Sequence, residues 1–151
     1  MGGELGNGDG RAPRFLVRAL RDPDGANLDR VQVVKGWQNA DGSLGDQVYD
    51  VAWSGDRVPG PDGRVPDVGN TVNAAEASYT NDIGAPILAA FWEDPDFDPT
   101  ERAFYYVRVI EIPTPRWTTF DAKFFGVDIP EGAESWTTER AYTSPIWYTP
   151  S

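Results

Sequence analysis

The feature that most constrains the fold is a series of short segments in which every second residue is apolar, separated by clusters of Gly, Pro, Asp and Asn. Alternate residues of a β-strand point to opposite faces, and the intervening residue types favour turns. No segment sustains the 3.6-residue apolar period of an amphipathic helix. The pattern therefore predicts an all-β protein: a β-sandwich, immunoglobulin- or fibronectin-like or jelly-roll-like, of about six to eight short strands with long loops. We expect at most one or two helical turns, with residues 119–125 as the candidate.

The alternation also indicates where the strands lie. The clearest segments are residues 14–20, 28–37, 47–53, 85–92 and 103–112, with weaker signals at 71–80, 137–143 and 146–148. In the third segment, Tyr49, Val51 and Trp53 are expected to point inward and Asp50 outward.

The chain is expected to form one domain after a short leader. Residues 1–13 contain five Gly and few apolar side chains, which predicts a flexible leader. Residues 14–151 are long enough for one packed core, so we expect a single β-sandwich domain there. Within it, residues 54–69 are rich in Gly, Pro and Asp and are expected to form a long loop.

The absence of two residue types restricts the chemistry that this chain can perform. The sequence contains no Cys and no His. Disulfides, thiolate nucleophiles, Ser–His–Asp catalysis and Cys- or His-ligated transition metals are thereby excluded within these residues. Hard cations bound by oxygen, such as Ca²⁺ or Mg²⁺, are the remaining candidates for a bound metal.

Charge and hydropathy restrict the partners. The formal net charge is −11, from 13 basic and 24 acidic residues. Nucleic-acid binding requires a basic surface that displaces counterions, so no nucleic-acid partner is expected. No run of 18 apolar residues occurs, which argues against a membrane span.

Two turns contain oxygen side chains at alternate positions, and both are calcium candidates. Asn39 and Asp41 begin a loop that resembles the start of a calcium loop but lacks its final Glu. Asp94, Asp96 and Asp98 alternate in the second turn, where a divalent cation would relieve the repulsion between carboxylates. Ordinary turn and capping roles are the favoured alternative for both. The expectation is no cofactor, with Ca²⁺ as the one candidate.

Other residues are candidates for catalysis or ligand binding. Glu93, Asp121 and Glu139 have aromatic neighbours in sequence, and paired carboxylates can act as acid and base when one pKa is raised. Pro113 and Pro115 stiffen the segment that presents Arg116 and Trp117, and Arg suits contacts with carboxylates or phosphates. Of the tryptophans, 53 and 92 are expected in the core, whereas 117, 136 and 147 are better candidates for the surface, where they could form a sugar-binding platform. Packing in the core or against another domain is the favoured role of the aromatic residues.

Long ordered stretches resemble one bacterial family. These are AFYYVRVIEIPTPRWTT at residues 103–119, ERAYTSPIWY at 139–148, VKGW at 34–37, VYDVAWS at 48–54 and WEDPDFDP at 92–99. In this order they are similar to the C-terminal part of the bacterial domain-of-unknown-function family numbered 3604. MGGEL at residues 1–5 looks like an internal stretch of such proteins.

The resemblance implies a larger parent protein. Family members are several times longer, and their N-terminal region is similar to metal-dependent phosphoesterases of the polymerase-and-histidinol-phosphatase type. The metal site, with His ligands, would lie in that part, and many members look exported. This chain would then be a non-catalytic C-terminal domain that packs on the catalytic barrel and shapes its active site. The residues expected to contribute are Arg116 and Trp117, with Arg108 and Arg140 behind them.

Three functional interpretations therefore remain open. The first is the accessory domain, whose partner is the N-terminal catalytic domain and whose exposed interdomain surface could also form a homodimer. The second is a small module that binds carbohydrate or Ca²⁺. The third is a weak, self-sufficient hydrolase, glycosidase- or phosphoesterase-like, that uses carboxylates.

Overall fold

The fold was determined as a computed structural model, which describes residues 2–6 and 10–150. The all-β prediction is confirmed, since strands dominate and one short helix accompanies them. The elements are β1 (Gly3–Leu5), β2 (Arg14–Leu20), β3 (Leu28–Gln38), β4 (Leu44–Trp53), β5 (Ile87–Glu93), β6 (Arg102–Glu111), β7 (Thr114–Pro115), α1 (Trp117–Phe125), β8 (Trp136–Thr137), β9 (Arg140–Tyr142) and β10 (Ile146–Tyr148).

Two sheets of unequal size face each other. The large sheet has the order β1-β10-β6-β3-β4, and β9 also pairs with β6. The small sheet consists of the antiparallel pair β2 and β5, and β7 and β8 form a separate short pair. The predicted segments 85–92 and 103–112 correspond to β5 and β6, which lie in different sheets. The predicted segment 137–143 is divided between β8 and β9.

The core lies between the two sheets. Val33 and Tyr105 of the large sheet are almost fully buried and pack against Phe15 and Trp92 of the small sheet. A second cluster, around Leu28, Val31 and Leu88, continues the core along the sandwich. Each large apolar side chain removed from water in this way contributes about 1.5–3 kcal/mol. The prediction that Trp92 belongs to the core is confirmed.

A β-bulge in β4 changes which side chains face the core. The register with β3 shifts so that Asp50 lies opposite Gln32 and Trp53 lies opposite Arg30, which leaves Val51 without a partner. An extra residue in one strand reverses the alternation beyond it. Trp53 therefore lies on the face opposite to Tyr49, and the prediction that both point inward is wrong. Asp50 does lie on the outer face of the sheet, as predicted, because it pairs with Gln32, but the loop that contains Val65 covers it and its side chain is completely buried.

The N-terminal residues belong partly to the sheet. Gly3–Leu5 forms β1, which pairs in parallel with β10 through the register of Glu4 with Trp147. These residues are therefore not a separate flexible leader. Met1 and residues 7–9, which the leader prediction also includes, lie outside the described residues.

The helix follows the proline segment. α1 begins after Arg116, which is extended, and ends at Gly126, whose φ of 65° lies in the left-handed region. Glycine adopts this conformation without steric cost, which makes it a common end of a helix. The predicted helical segment is confirmed, although the helix begins two residues earlier, at Trp117. Among the described residues, no helix is long and apolar enough to cross a membrane.

Candidate functional site

A cleft of about 800 Å³ lies on the face of the large sheet that points away from the small sheet. At its floor, Arg30 of β3 lies opposite Ile110 of β6. Arg30 directly precedes the core residue Val31, so its side chain points to the other face of the sheet. One wall is the loop 67–70 and the other is formed by residues 134–140. We call this cleft the polar cleft, and its polar lining includes Asp29, Arg30, Asp67, Asn70, Glu139 and Arg140.

Arg30 is the central cation at the floor of the cleft. Its Nη2 lies 2.6 Å from Asp67 Oδ1 and 2.9 Å from Asp29 Oδ2, and its Nη1 donates a hydrogen bond of 2.5 Å to the carbonyl oxygen of Val65. Burial lowers the pKa of Arg30, but the carboxylates of Asp29, Asp67 and Asp50 outweigh that effect and raise it. The guanidinium thus holds the loop against β3.

A second arginine fixes the start of the same loop. Arg57 Nη1 lies 2.7 Å from Asp29 Oδ1, at an angle outside hydrogen-bond geometry. Its Nη1 also donates to the carbonyl of Pro66, at 2.6 Å, and its Nη2 donates to the carbonyl of Asp29, at 2.9 Å. Asp29 is therefore compensated from both sides, as a buried carboxylate must be.

Arg108, one of the predicted site residues, is held by a chain of hydrogen bonds beneath the cleft. Its Nε donates to Gln32 Oε1 at 2.6 Å, and Gln32 Nε2 donates to Asp50 Oδ1 at 2.6 Å. The second oxygen of Asp50 accepts the backbone N–H of Val65 at 2.7 Å. Arg108 is thus half-buried and linked to the loop on the far side of β3.

Two predicted site residues that are neighbours in sequence, Glu139 and Arg140, are exposed in the wall of the polar cleft. Glu111 lies close by, since its backbone N–H donates to the carbonyl of Glu139 at 3.0 Å. Burial, together with the charges of Glu139 and Asp22, raises the pKa of Glu111. The cleft therefore has the cation of Arg30 at its floor and the opposite charges of Glu139 and Arg140 in its wall.

Arg116 and Trp117 lie next to the same wall. Pro115 in β7 pairs with Trp136 in β8, and the N–H of Arg116 donates to the carbonyl of Ser135 at 3.0 Å. Both predicted side chains are exposed, and Trp117 is 66% accessible. The prediction that tryptophans 117, 136 and 147 lie at the surface is confirmed.

α1 exposes an apolar stripe. Trp117, Phe120 and Phe124 are 66%, 51% and 82% accessible. Their spacing of three and then four residues places them on one side of the helix. Phe125 is exposed as well, and Thr119 is the residue of α1 that is buried. We call Trp117, Phe120 and Phe124 the helix stripe.

The second predicted calcium loop is occupied by interactions within the protein. Lys35 Nζ lies 2.7 Å from Asp94 Oδ2, and the Tyr105 hydroxyl donates to the same oxygen at 2.7 Å. Asp96 Oδ2 accepts the hydroxyl of Tyr49 at 2.8 Å. Asp98 Oδ1 accepts the hydroxyl and the N–H of Thr100, and these bonds lower the pKa of Asp98.

The first predicted calcium loop is a compact turn between β3 and β4. Asn39 Nδ2 donates to the Ser43 hydroxyl at 2.8 Å, and Asn39 Oδ1 accepts the indole N–H of Trp37 at 3.0 Å. Asp41 accepts the hydroxyl and the N–H of Ser43, and these bonds lower the pKa of Asp41. Calcium binding at either loop stays a prediction.

The three candidate catalytic carboxylates lie on separate elements. Glu93 is at the end of β5, where Arg14 Nε donates to it at 2.8 Å. Asp121 is exposed on α1, and Glu139 is in the polar cleft. In residues 2–6 and 10–150, no group of three or more Asp or Glu side chains is arranged to hold a metal ion.

The sequence interpretation missed the charged floor of the cleft. Arg30 was expected only as part of a strand, and Asp29, Arg57 and Asp67 were not singled out. The available signal was a pair of adjacent opposite charges at the start of a strand, followed by a long loop that contains further Arg and Asp residues. Such a pattern indicates an ion-paired loop, although it does not identify the pairs.

The fold and the cleft define a β-sandwich domain with an ion-paired surface cleft and an exposed apolar helix. Residues 1–150 match the family described as protein of unknown function, DUF3604, and the chain belongs to that family. No curated protein and no solved structure shows significant similarity to it.

Proposed function

We propose that this chain acts as a non-catalytic accessory domain, which packs on a metal-dependent phosphoesterase barrel and forms one side of its active site. The observation that supports this proposal most strongly is the helix stripe. Three large aromatic side chains at helical spacing are exposed on α1, a helix that contributes little to the core of this domain. An exposed apolar surface of this kind is typical of a protein–protein contact.

The spacing of the stripe suits a groove on the partner. A helix that binds in a groove uses apolar anchors three, four and seven residues apart, and Trp117, Phe120 and Phe124 have this arrangement. The aromatic residues are also those that contribute most to the energy of interfaces. The partner that binds the helix stripe is the catalytic domain, and a homodimer through the same surface is the alternative.

The polar cleft lies beside the stripe. Residues 134–137 form a wall of the cleft and also receive the hydrogen bonds that anchor α1, from Thr119 Oγ1 to the carbonyl of Ser135 at 2.5 Å and from Arg116 N to that carbonyl at 3.0 Å. A barrel bound to the stripe would therefore stand next to the cleft. Arg116 and Arg140 would then be the cations available to an anionic substrate.

A matched pair of variants in a longer family member tests the docking surface. Phe124→Ser removes an anchor of the stripe, whereas Leu44→Ser removes an equally exposed apolar side chain at the other end of the sandwich, since the two are 82% and 81% accessible. We expect Phe124→Ser alone to lower the melting temperature of the catalytic domain. Equal effects of the two variants would exclude the stripe as the contact.

The contribution to the active site has its own test. Arg116→Ala is expected to reduce kcat/KM for an aryl phosphate in the longer chain, with Arg14→Ala as a control at a distant exposed arginine. Unchanged kinetics for Arg116→Ala would restrict the domain to a structural role.

A further inference from the structure

Four aromatic rings form a continuous row on the large sheet, away from α1. The ring centroids of Trp147 and Phe104 are 5.2 Å apart, those of Phe104 and Tyr106 are 6.4 Å apart, and those of Tyr106 and Tyr142 are 6.2 Å apart. These rings border an open depression of about 320 Å³. We call Trp147, Phe104, Tyr106 and Tyr142 the aromatic row.

The middle of the row lies flat on the sheet. Phe104 lies opposite Gly36 in the register of β6 with β3, and a side chain at Gly36 would collide with the Phe104 ring. One side of that ring therefore covers the glycine, and the other side faces outward. The ring of Tyr106 is nearly parallel to it, with 8° between the two planes. Trp147 and Tyr142, at the two ends, are 52% and 56% accessible.

The row also has polar atoms without a partner. Within the part of the chain that the structure describes, the hydroxyls of Tyr106 and Tyr142 and the indole N–H of Trp147 make no hydrogen bond to the protein. An amphipathic aromatic surface of this type suits a ligand with apolar faces and polar edges. The next residue of β6 on this face is Arg108, and the polar cleft continues beyond it. The face of the sheet that carries the aromatic row therefore also offers hydrogen-bonding groups.

The net charge of the chain indicates whether a nucleic acid or a sugar would stack on these rings. Single-stranded nucleic acids stack on aromatic rows, but they require a basic groove, and this chain has a net charge of −11. Pyranose sugars offer apolar C–H faces and hydroxyl edges without charge. We propose that the aromatic row is a binding site for a neutral oligosaccharide, with pyranose rings stacked on Phe104 and Trp147 and hydroxyls bound by Tyr106 and Tyr142.

Isothermal titration of the chain with three soluble probes, cellohexaose, xylohexaose and chitohexaose, tests this site. We expect at least one probe to bind and to change the fluorescence of Trp147. Trp147→Ala and Tyr142→Ala, both at exposed positions, are each expected to weaken binding by about fivefold to tenfold. Trp147→Phe should retain most of the affinity, and Trp117→Ala, which removes an exposed tryptophan from α1, should leave it unchanged.

Three results would overturn the proposal. The first is no binding of any probe at millimolar concentration. The second is binding that survives the double variant Trp147→Ala/Tyr142→Ala or is lost equally in Trp117→Ala. The third is tighter binding of an oligothymidine through the same rings. Because these residues do not belong to α1, failure here leaves the docking proposal intact.

Discussion

Lys35 Nζ lies 2.7 Å from Asp94 Oδ2, in a site where the two side chains are 4% and 0% accessible. Lys35 belongs to β3 of the large sheet, and Asp94 directly follows β5 of the small sheet. Lys35 also donates to the carbonyl of Asp96 at 2.7 Å, and Tyr105 donates to Asp94. The pair therefore joins the two sheets at one end of the sandwich.

Removing one partner of this pair should be costly. Lys35→Met leaves the carboxylate of Asp94 buried without its cation, and such a change typically destabilises a protein by about 3–5 kcal/mol. The double variant Lys35→Met/Asp94→Leu removes both charges and is expected to recover most of that loss. Urea unfolding at neutral pH measures both free energies. A loss below about 1 kcal/mol in Lys35→Met would contradict a buried, compensated pair.

The neighbouring tyrosines predict how stability changes in alkali. Burial, and hydrogen bonds to Asp94 and Asp96, raise the pKa of Tyr105 and of Tyr49. An unfolded tyrosine loses its proton near pH 10, whereas the folded forms keep theirs. The stabilisation is therefore complete below about pH 10 and is lost above it, by up to about 1.4 kcal/mol per pH unit for the buried Tyr105 and by less for the partly exposed Tyr49.

The test compares the slope of unfolding free energy against pH in three proteins. Tyr105→Phe is expected to have a smaller slope, because the contribution of one tyrosine to the pH dependence is missing. Tyr142→Phe, at an exposed position, is expected to have the same slope as the unmodified chain. An unaltered slope in Tyr105→Phe would show that this hydroxyl ionises normally.

The loop that borders the polar cleft is expected to become more mobile when the contacts of Arg30 are removed. Arg30→Gln retains a polar side chain but loses the contacts with Asp29, Asp67 and the carbonyl of Val65. The loop from 57 to 69 is then expected to exchange its amide hydrogens faster and to be cleaved sooner by protease. Asp67→Ala, at an exposed carboxylate, should have a smaller effect. Identical protection in Arg30→Gln and the unmodified chain would mean that Arg57 alone holds the loop.

The sequence predicted the class of fold because alternation is a local property. The bounds Arg14–Leu20 were predicted correctly from seven consecutive residues. The face of Trp53 was predicted wrongly, because a bulge depends on how β4 pairs with β3. The burial of Asp50 on its predicted face was missed, because the loop that covers it lies further along the chain. The strand at Gly3–Leu5 was missed for a similar reason, since its partner is at the opposite end of the chain.

The candidate site was predictable only in part. Trp117 is exposed, as its polar, proline-bearing segment indicates locally. Glu139 and Arg140 line the polar cleft because β9 pairs with β6, which local features do not show. Arg30 and Arg57 were missed because their contacts join β3 to the distant loop: Arg30 of β3 reaches Asp67, and Arg57 of the loop reaches Asp29. No pattern within a strand specifies such an ion pair. The carboxylates of the second calcium loop looked unpaired in sequence, whereas Lys35, Tyr49 and Tyr105 approach them from other strands.

The central claim is that the helix stripe contacts a catalytic domain. Amide hydrogen exchange across α1 tests it most directly, when this chain alone is compared with a longer family member that contains the proposed catalytic domain. We predict that the amides of Trp117–Phe125 exchange substantially more slowly in the longer protein and that Phe120→Ser/Phe124→Ser removes this protection. Equal exchange of α1 in the two proteins would contradict the account.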